Sequence, residues 1–572
     1  MKYKGQYILA FIVIVVAVYF IATGMSITEY IEPNNDENSS FSVWNSAIAA
    51  SINEKPIDML IDGNQVNTKY GHVYMDETMT LMVPSDVITS AFDCAVSLYN
   101  DEELIIEKGD IKLKMAVDKK VLSINGAKYT ISVAPVKRGK ILYVPLSAIV
   151  RGFGYGYSWD IENNRATLVN ENTDNRALPY AYNYRENGRN TKVRDQGKFN
   201  TCWAVASLCA LETALQPEEN LLFSADHMSL CNSFNVSQFD SGDFYMSMAY
   251  LTAWQGPVYE SDDPYGDRQT NRELKPVKHV QEAQIIPSKD LEGIKKMVYQ
   301  YGGVETSIYM SLKDAKDKSK NYNEVEGAYC YIGEEKPNHE VVIVGWDDNY
   351  PKENFNSEIE SNGAFICQNS WGEEFGNGGY FYVSYYDTNI GVHNLVYTDV
   401  EDTDNYDKIY QSDLCGWRGL IGYEKDSAYF ANAYTTSGKE ILSAVGFYAT
   451  DVDSSYNVYV VRNFKDTEDF LNKQEVASGK LKNAGYYTIP LQDTITLNEG
   501  EKYAVVVKIN TPNSQRPVAV EMVKSYVTLS VDLSDGEGYI SQNGTTWNNT
   551  ETEFMCNVCL KAYTKVVSPQ SR

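Results

Sequence analysis

The chain has 572 residues, a formal net charge of −27 and a pI of about 4.7, with 43% hydrophobic residues and 44 tyrosines. That length exceeds what one hydrophobic core holds and predicts three or four domains. The charge excludes nucleic acid and an anionic membrane surface as partners, because phosphates would be repelled; the apolar and tyrosine content excludes a disordered chain.

At the N-terminus, Lys2 and Lys4 precede an apolar run from Ile8 to Ala22, the pattern of a signal peptide over residues 1–24. Ala22-Thr23-Gly24 offers small residues for cleavage, and the alternative is an uncleaved signal anchor. Under either reading the body is exported to the cell surface or beyond, and membrane contact is confined to this segment. Residues 25–45 are a polar spacer. Residues 46–170 alternate in short strands and contain a weak internal repeat, TLMVPSDVITSAFDCAVSLYNDEELIIEKGD against ILYVPLSAIVRGFGYGYSWDIENNRATLVN. Both copies run strand, Val-Pro, short helix, strand, turn, strand. His72 is the only histidine of this region, so no imidazole metal site arises there.

A polar linker (171–177) leads into residues 178–400, where Ala-rich helical stretches mix with strands such as VVIVGW, an α+β pattern. An acidic linker follows (401–408). Residues 409–566 are short strands parted by turns, which predicts a β-sandwich. The fold class expected is therefore multidomain: an α+β unit flanked by an N-terminal β-rich repeat domain and a C-terminal β-sandwich.

Nine cysteines in an exported chain leave at least one thiol free. Cys202 opens CWAVASLCALETAL, a helix-favouring run, so its thiol stands at the positive end of the helix dipole. Taken alone, that fits a nucleophile or a buried core thiol. A nucleophile needs a base, and His339 lies at the mouth of the apolar strand HEVVIVGW. Asn369, in QNSWGEEFGNGGYFYVS, has a carbonyl able to orient that imidazole, and Trp371 stands two residues on to shield the bond from water. Gln196, shortly before Cys202, offers an amide donor for a developing oxyanion.

Together these residues resemble the papain-like (C1) cysteine peptidases. LPYAYNYRENGRNTKVRDQGKFNTCWAVAS (178–207) is similar to the mature N-terminus of that family through Pro179, Asn183, Tyr184, Arg185, Gly188, Val193, Gln196, Gly197, Cys202, Trp203 and Ala204. FSADHMSLC, WQGPVYESDDPYGD, NHEVVIVGW and QNSWG follow in the family's order. The resemblance implies Cys202 as nucleophile, His339 as general base and acid, Asn369 as orienter and Gln196 as oxyanion donor, with no metal or cofactor and a protein or peptide as substrate. It also implies that Ser241 and Gly242 contact the substrate backbone, leaving one glycine where the family has a pair. Glu340 replaces a small residue of the second specificity pocket, which favours a basic side chain two residues before the scissile bond; the alternative is a solvent-facing or lysine-paired carboxylate. Phe199 replaces a cysteine of the usual disulfide, and the partner cysteine is missing too, so packing must fix the nucleophile loop.

The region before residue 178 resembles a copper amine oxidase N-terminal-like domain, without implying copper, and stands where eukaryotic members carry a helical pro-segment. Maturation is expected by cleavage within 171–178. The C-terminal region resembles the lectin-like domain of bacterial surface cysteine proteases, through GYISQNGTTW and NVCLKAYT, which implies a cell-wall or glycan ligand. Cys556 and Cys559 read as core thiols, since i and i+3 face opposite sides of a strand. The rival function is a surface adhesin that uses the peptidase fold as a scaffold.

Overall fold

The computed structural model describes residue 53 and residues 56–567, apart from 62–63, 67–71, 77–79, 101, 109–110, 125–126, 132, 154, 161–163, 171–177 and 190. The apolar N-terminal segment, the spacer and nearly all of the expected cleavage window lie outside the described residues.

The two halves of the N-terminal repeat have the same local structure. In each, a strand ends in Val-Pro and turns directly into a helix: Leu81–Pro84 into α1 (Ser85–Phe92), and Ile141–Pro145 into α2 (Leu146–Phe153). Pro84 sits at the N-cap of α1 with φ −58°, a value its ring fixes in advance. The Val-Pro strands pair antiparallel, Val83 opposite Val144, so the repeats share one core of Val83, Val87, Phe92, Leu104, Val144 and Ile149.

The central region is built around α3 (Cys202–Leu215), buried on nearly every side and therefore central rather than amphipathic. Helices α4 (Ala225–Cys231), α5 (Phe244–Thr252) and α6 (Leu291–Gln300) surround it. Against α3 lies an antiparallel sheet of β1 (His279–Ile285), β2 (Val304–Ile308), β3 (His339–Asp347), β4 (Ala364–Gln368), β5 (Tyr380–Ser384) and β6 (Asn394–Glu401), in the spatial order β5-β4-β3-β2-β6-β1. The buried pair Arg194–Glu212 joins the loop before α3 to the helix itself. The guanidinium spans both carboxylate oxygens and also donates to the Phe223 carbonyl at 2.9 Å.

The acidic stretch expected as a linker is ordered. Its first residue completes β6, and Lys278, buried, bridges Asp402 at 2.6 Å and Glu219 at 2.5 Å. Asn405 accepts from the His279 ring at 2.6 Å, and Lys408–Tyr410 forms β7. The C-terminal region adds β8 (Ser427–Thr435), β9 (Glu440–Ala449), β10 (Ser454–Val461), β11 (Gln474–Leu481), β12 (Ala484–Leu497), β13 (Lys502–Asn510) and β14 (Leu560–Val566). One layer is β12-β9-β14-β7, the other β11-β10-β13-β8. Between them pack Phe430, Val445, Phe447, Val458, Val505 and Val507, as a sandwich requires.

Strand β12 also pairs with β1, Glu282 opposite Tyr487 through Ile285 opposite Ala484. The central sheet and one layer of the sandwich are thus a single continuous sheet, and the C-terminal domain is no tethered appendage. Trp417 reinforces the junction edge-on to Tyr245 at 5.5 Å, and Arg418 reaches Asp243 at 3.3 Å.

The N-terminal domain docks elsewhere. A cavity of about 600 Å³ separates Leu81, Leu146 and Val150 from Leu215, Glu218 and Tyr301, at the C-terminal end of α3. At about 1.5 Å per residue that end lies roughly 20 Å from Cys202. Among the described residues, those of the β-rich domain that line this cavity therefore lie at the end of α3 remote from Cys202.

Gly485 sits where β12 meets β1, with φ +139° and an added Cβ falling 2.1 Å from the Ala283 carbonyl oxygen. Gly485→Ala is expected to destabilise the junction by about 1–3 kcal/mol from backbone strain alone, read as a lower urea midpoint and faster proteolysis between the two domains.

Candidate active site

Cys202 is the first residue of α3, whose N-cap Thr201 offers no side-chain cap to the helix. The first-turn amides and the helix dipole are thus directed at the thiol. Cys202 as a residue is partly exposed, and its sulfur takes hydrogen bonds from backbone groups of Glu340, Trp203 and Cys202 itself, which favour the thiolate. Burial acts in the opposite sense and, on balance, raises the thiol pKa.

The Glu340 contact places the Cys202 sulfur against β3 at the residue that follows His339. The imidazole is buried; burial lowers its pKa, against the raising effect of its hydrogen bond to Asn369. Nε2 of His339 lies 2.7 Å from Asn369 Oδ1, which also accepts from the Ser370 amide at 2.8 Å. Two donors on one oxygen fix the orientation of the side-chain amide. Because the Asn369 oxygen accepts, the proton on His339 is assigned to Nε2 and Nδ1 is left as the acceptor nitrogen. Burial favours the neutral form of both the thiol and the imidazole.

Strand register produces this meeting. Val342 of β3 pairs with Gln368 at the end of β4, so the next residue along the chain, Asn369, comes alongside the start of β3. Trp371 follows with its ring 5.1 Å from that of His339, edge-on to Phe375, and flanks the buried Asn369 bond.

Gln196 is bound to the same segment: its amide N donates to the Ser370 carbonyl at 2.8 Å, and its Oε1 accepts from Ser370 Oγ at 2.5 Å. One Nε2 hydrogen goes to the Phe199 carbonyl at 2.7 Å. The second Nε2 hydrogen has no acceptor among the described residues. Phe199 is buried, its ring 5.3 Å from Phe239 and 6.1 Å from Tyr265, and no cysteine among the described residues is in a disulfide. Asn200 ties the loop to the 238–239 backbone at 2.8 and 2.6 Å.

Gly242 lies on the face of Trp203, where a Cβ would come within 2.6 Å of the indole, and Ser241 beside it is exposed. Glu340 is buried and accepts from Ser307 at 2.7 Å, neither facing solvent nor paired with lysine. Sequence reasoning passed over Ser370, Asp243 and Glu305. The one available signal was a glutamate inside the strand VETSI, a charged residue where apolar alternation is expected. Cys556 and Cys559 are buried and free.

Family models match in three places: copper amine oxidase N-terminal domain at residues 60–168, papain family cysteine protease at 178–400, and lectin like domain at 409–564. Among solved structures, the clostridial cysteine protease Cwp84 after propeptide cleavage is 29% identical with a TM-score of 0.61, covering 68% of this chain and 99% of that one. The cysteine protease and lectin-like domains of Cwp84, described as a surface layer associated protein of Clostridium difficile, are 28% identical with a TM-score of 0.60, covering 68% and 90%. Cysteine protease Amb a 11.0101 of Ambrosia artemisiifolia is 29% identical over 211 residues, 36% of this chain and 50% of that protein. The chain spans half to about two thirds of the length of the curated relatives it matches. Residues 178–400 belong to the papain family of cysteine proteases, set between a copper amine oxidase N-terminal domain and a lectin-like domain.

Proposed function

We propose that the chain is an exported cysteine endopeptidase acting on proteins at or outside the cell surface. The observation that carries this is the His339–Asn369 hydrogen bond of 2.7 Å beside a cysteine at a helix N-terminus. Nδ1 of His339 takes the Cys202 proton, and sulfur attacks the peptide carbonyl carbon. The oxyanion is held by the Cys202 amide and the free Nε2 hydrogen of Gln196. His339 then protonates the leaving nitrogen, the C–N bond breaks, and a thioester remains. Water, deprotonated by His339, attacks the thioester, releasing the acid and restoring the thiol. Asn369 keeps the ring in the one tautomer these transfers require.

Gly242, packed on Trp203, and the adjacent exposed Ser241 are read as the backbone-binding edge of the cleft. Trp371 screens His339 from water, and Glu340 faces the substrate side chain two residues before the scissile bond. Surface location is supported by the similarity to Cwp84, whose description is of a surface layer associated protein. The lectin-like domain, joined through a shared sheet, would hold the cleft at a fixed position relative to a cell-wall or glycan ligand.

Labelling the full chain with an epoxide inhibitor of cysteine peptidases is expected to modify wild type and not Cys202→Ala. Asn369→Ala is expected to lower kcat/KM by roughly 10²-fold or more, the scale of a misplaced acid–base group. An unlabelled wild type would favour the surface adhesin with an inactive peptidase scaffold. N-terminal sequencing of the secreted protein is expected to find an end within 171–178; no end there would exclude cleavage at that linker.

A further inference from the structure

The loop between α4 and α5, residues 232–243, carries Ser241 and Gly242 and contains neither helix, strand nor cysteine. Its shape is therefore set by what holds it from outside. In its middle, Asn200 of the nucleophile loop bonds the Gln238 and Phe239 carbonyls at 2.8 and 2.6 Å. At both ends the contacts come from the lectin-like domain. Near the start, Asn235 donates from its amide to the Val527 carbonyl at 2.8 Å and from its side chain to the Tyr526 carbonyl at 3.1 Å, and Ser530 donates its hydroxyl to the Ser233 carbonyl. At the far end, Arg418 reaches Asp243 Oδ1 at 3.3 Å, with its guanidinium 5.5 Å from the Phe234 ring centre.

Asp243 directly follows Gly242, and the oxygen that meets Arg418 also caps α5 by accepting from the Met246 amide at 3.1 Å. One carboxylate oxygen thus fixes the start of the helix and the last link of the loop. Gly242 in turn lies on the indole of Trp203, the neighbour of Cys202, as closely as a residue without Cβ can. The base behind Arg418 is itself tied down. Its amide donates to the Val520 carbonyl at 2.9 Å, the Cys415 amide donates to buried Glu521 at 2.6 Å, and buried Asp413 pairs with buried Lys561 at 2.8 Å. A continuous line of contacts therefore runs from the lectin-like domain through Asp243 to the cleft edge.

We propose that Arg418 of the lectin-like domain is a positioning residue for the peptidase cleft. Through Asp243 it sets the place of the Ser241–Gly242 edge, so that binding of the substrate residues before the scissile bond depends on the C-terminal domain. The inference rests on the peptidase reading above and on Ser241 and Gly242 as the edge that meets the substrate backbone. Such an edge works only when held to within about 0.5 Å of its productive place, and a loop without internal structure does not hold itself there. Cys202, His339 and Asn369 are placed instead by α3 and by the pairing of β3 with β4. Loss of the Arg418 contact is therefore expected to weaken substrate binding and to spare the chemistry at sulfur.

The test uses the full chain and two fluorogenic peptides, one with a single residue before the scissile bond, which stops short of the edge, and one with three, which runs along it. In Arg418→Ala the ratio of kcat/KM for the longer peptide to that for the shorter is expected to fall at least about fivefold, through KM, with kcat kept within about twofold. Arg418→Lys, which keeps a cation beside Asp243, is expected to recover most of the loss. Asp243→Asn, which keeps the capping oxygen and removes the charge, is expected to lower the ratio similarly, and the double variant no further than either single change. Alkylation of Cys202 by iodoacetamide is expected to keep its wild-type rate throughout. A merely structural role would depress cleavage of both peptides alike and leave their ratio unchanged. An unchanged ratio in Arg418→Ala overturns this inference and leaves the peptidase reading intact; if that variant does not fold, the ratio in Asp243→Asn decides in the same way. Cleavage of neither peptide by the wild type, with no epoxide labelling, removes both.

Discussion

Antiparallel pairing of β3 with β4 is the constraint on which the site depends. With Val342 opposite Gln368, His339 and Asn369 fall at the same edge of the sheet, and a slip of one residue would turn one of them to the other face. The β3 partner on its other side, β2, is locked by five register pairs, and α3 packs across both. Cys202 then meets β3 because α3 begins where the strand does. The placement of Cys202, His339 and Asn369 is thus a consequence of sheet register and one helix start rather than of local loop geometry.

Two features hold the loop before α3, where the described cysteines are all free. Phe199 fills the space between Phe239 and Tyr265, and Tyr265 also bonds Thr201 and the Gln196 carbonyl at 2.5 and 3.0 Å, joining the loop to a neighbour by both packing and hydrogen bonds. Beneath them the Arg194–Glu212 pair is buried at both ends. Its contribution is mainly to fix position, since a buried ion pair gains little net energy after desolvation but is costly to break. The loop is held more by shape and charge than by covalent closure.

The candidate site residues were legible as candidates because each stands in a motif whose residue types have few other uses: Cys-Trp at a helix start, His before an apolar strand, Asn-Ser-Trp-Gly before a turn. The flanking β-domains were legible from alternation and the Val-Pro repeat. What escaped reading depends on pairing between distant segments. The acidic stretch after β6 looked like a linker because its charges are visible in sequence, whereas Lys278 and His279, which order it, lie more than a hundred residues earlier. The β1–β12 junction and the place where the N-terminal domain docks are likewise set by surfaces that no local pattern reports. Glu305 escaped for a related reason: burial of a charged residue is a property of the assembled face, not of VETSI.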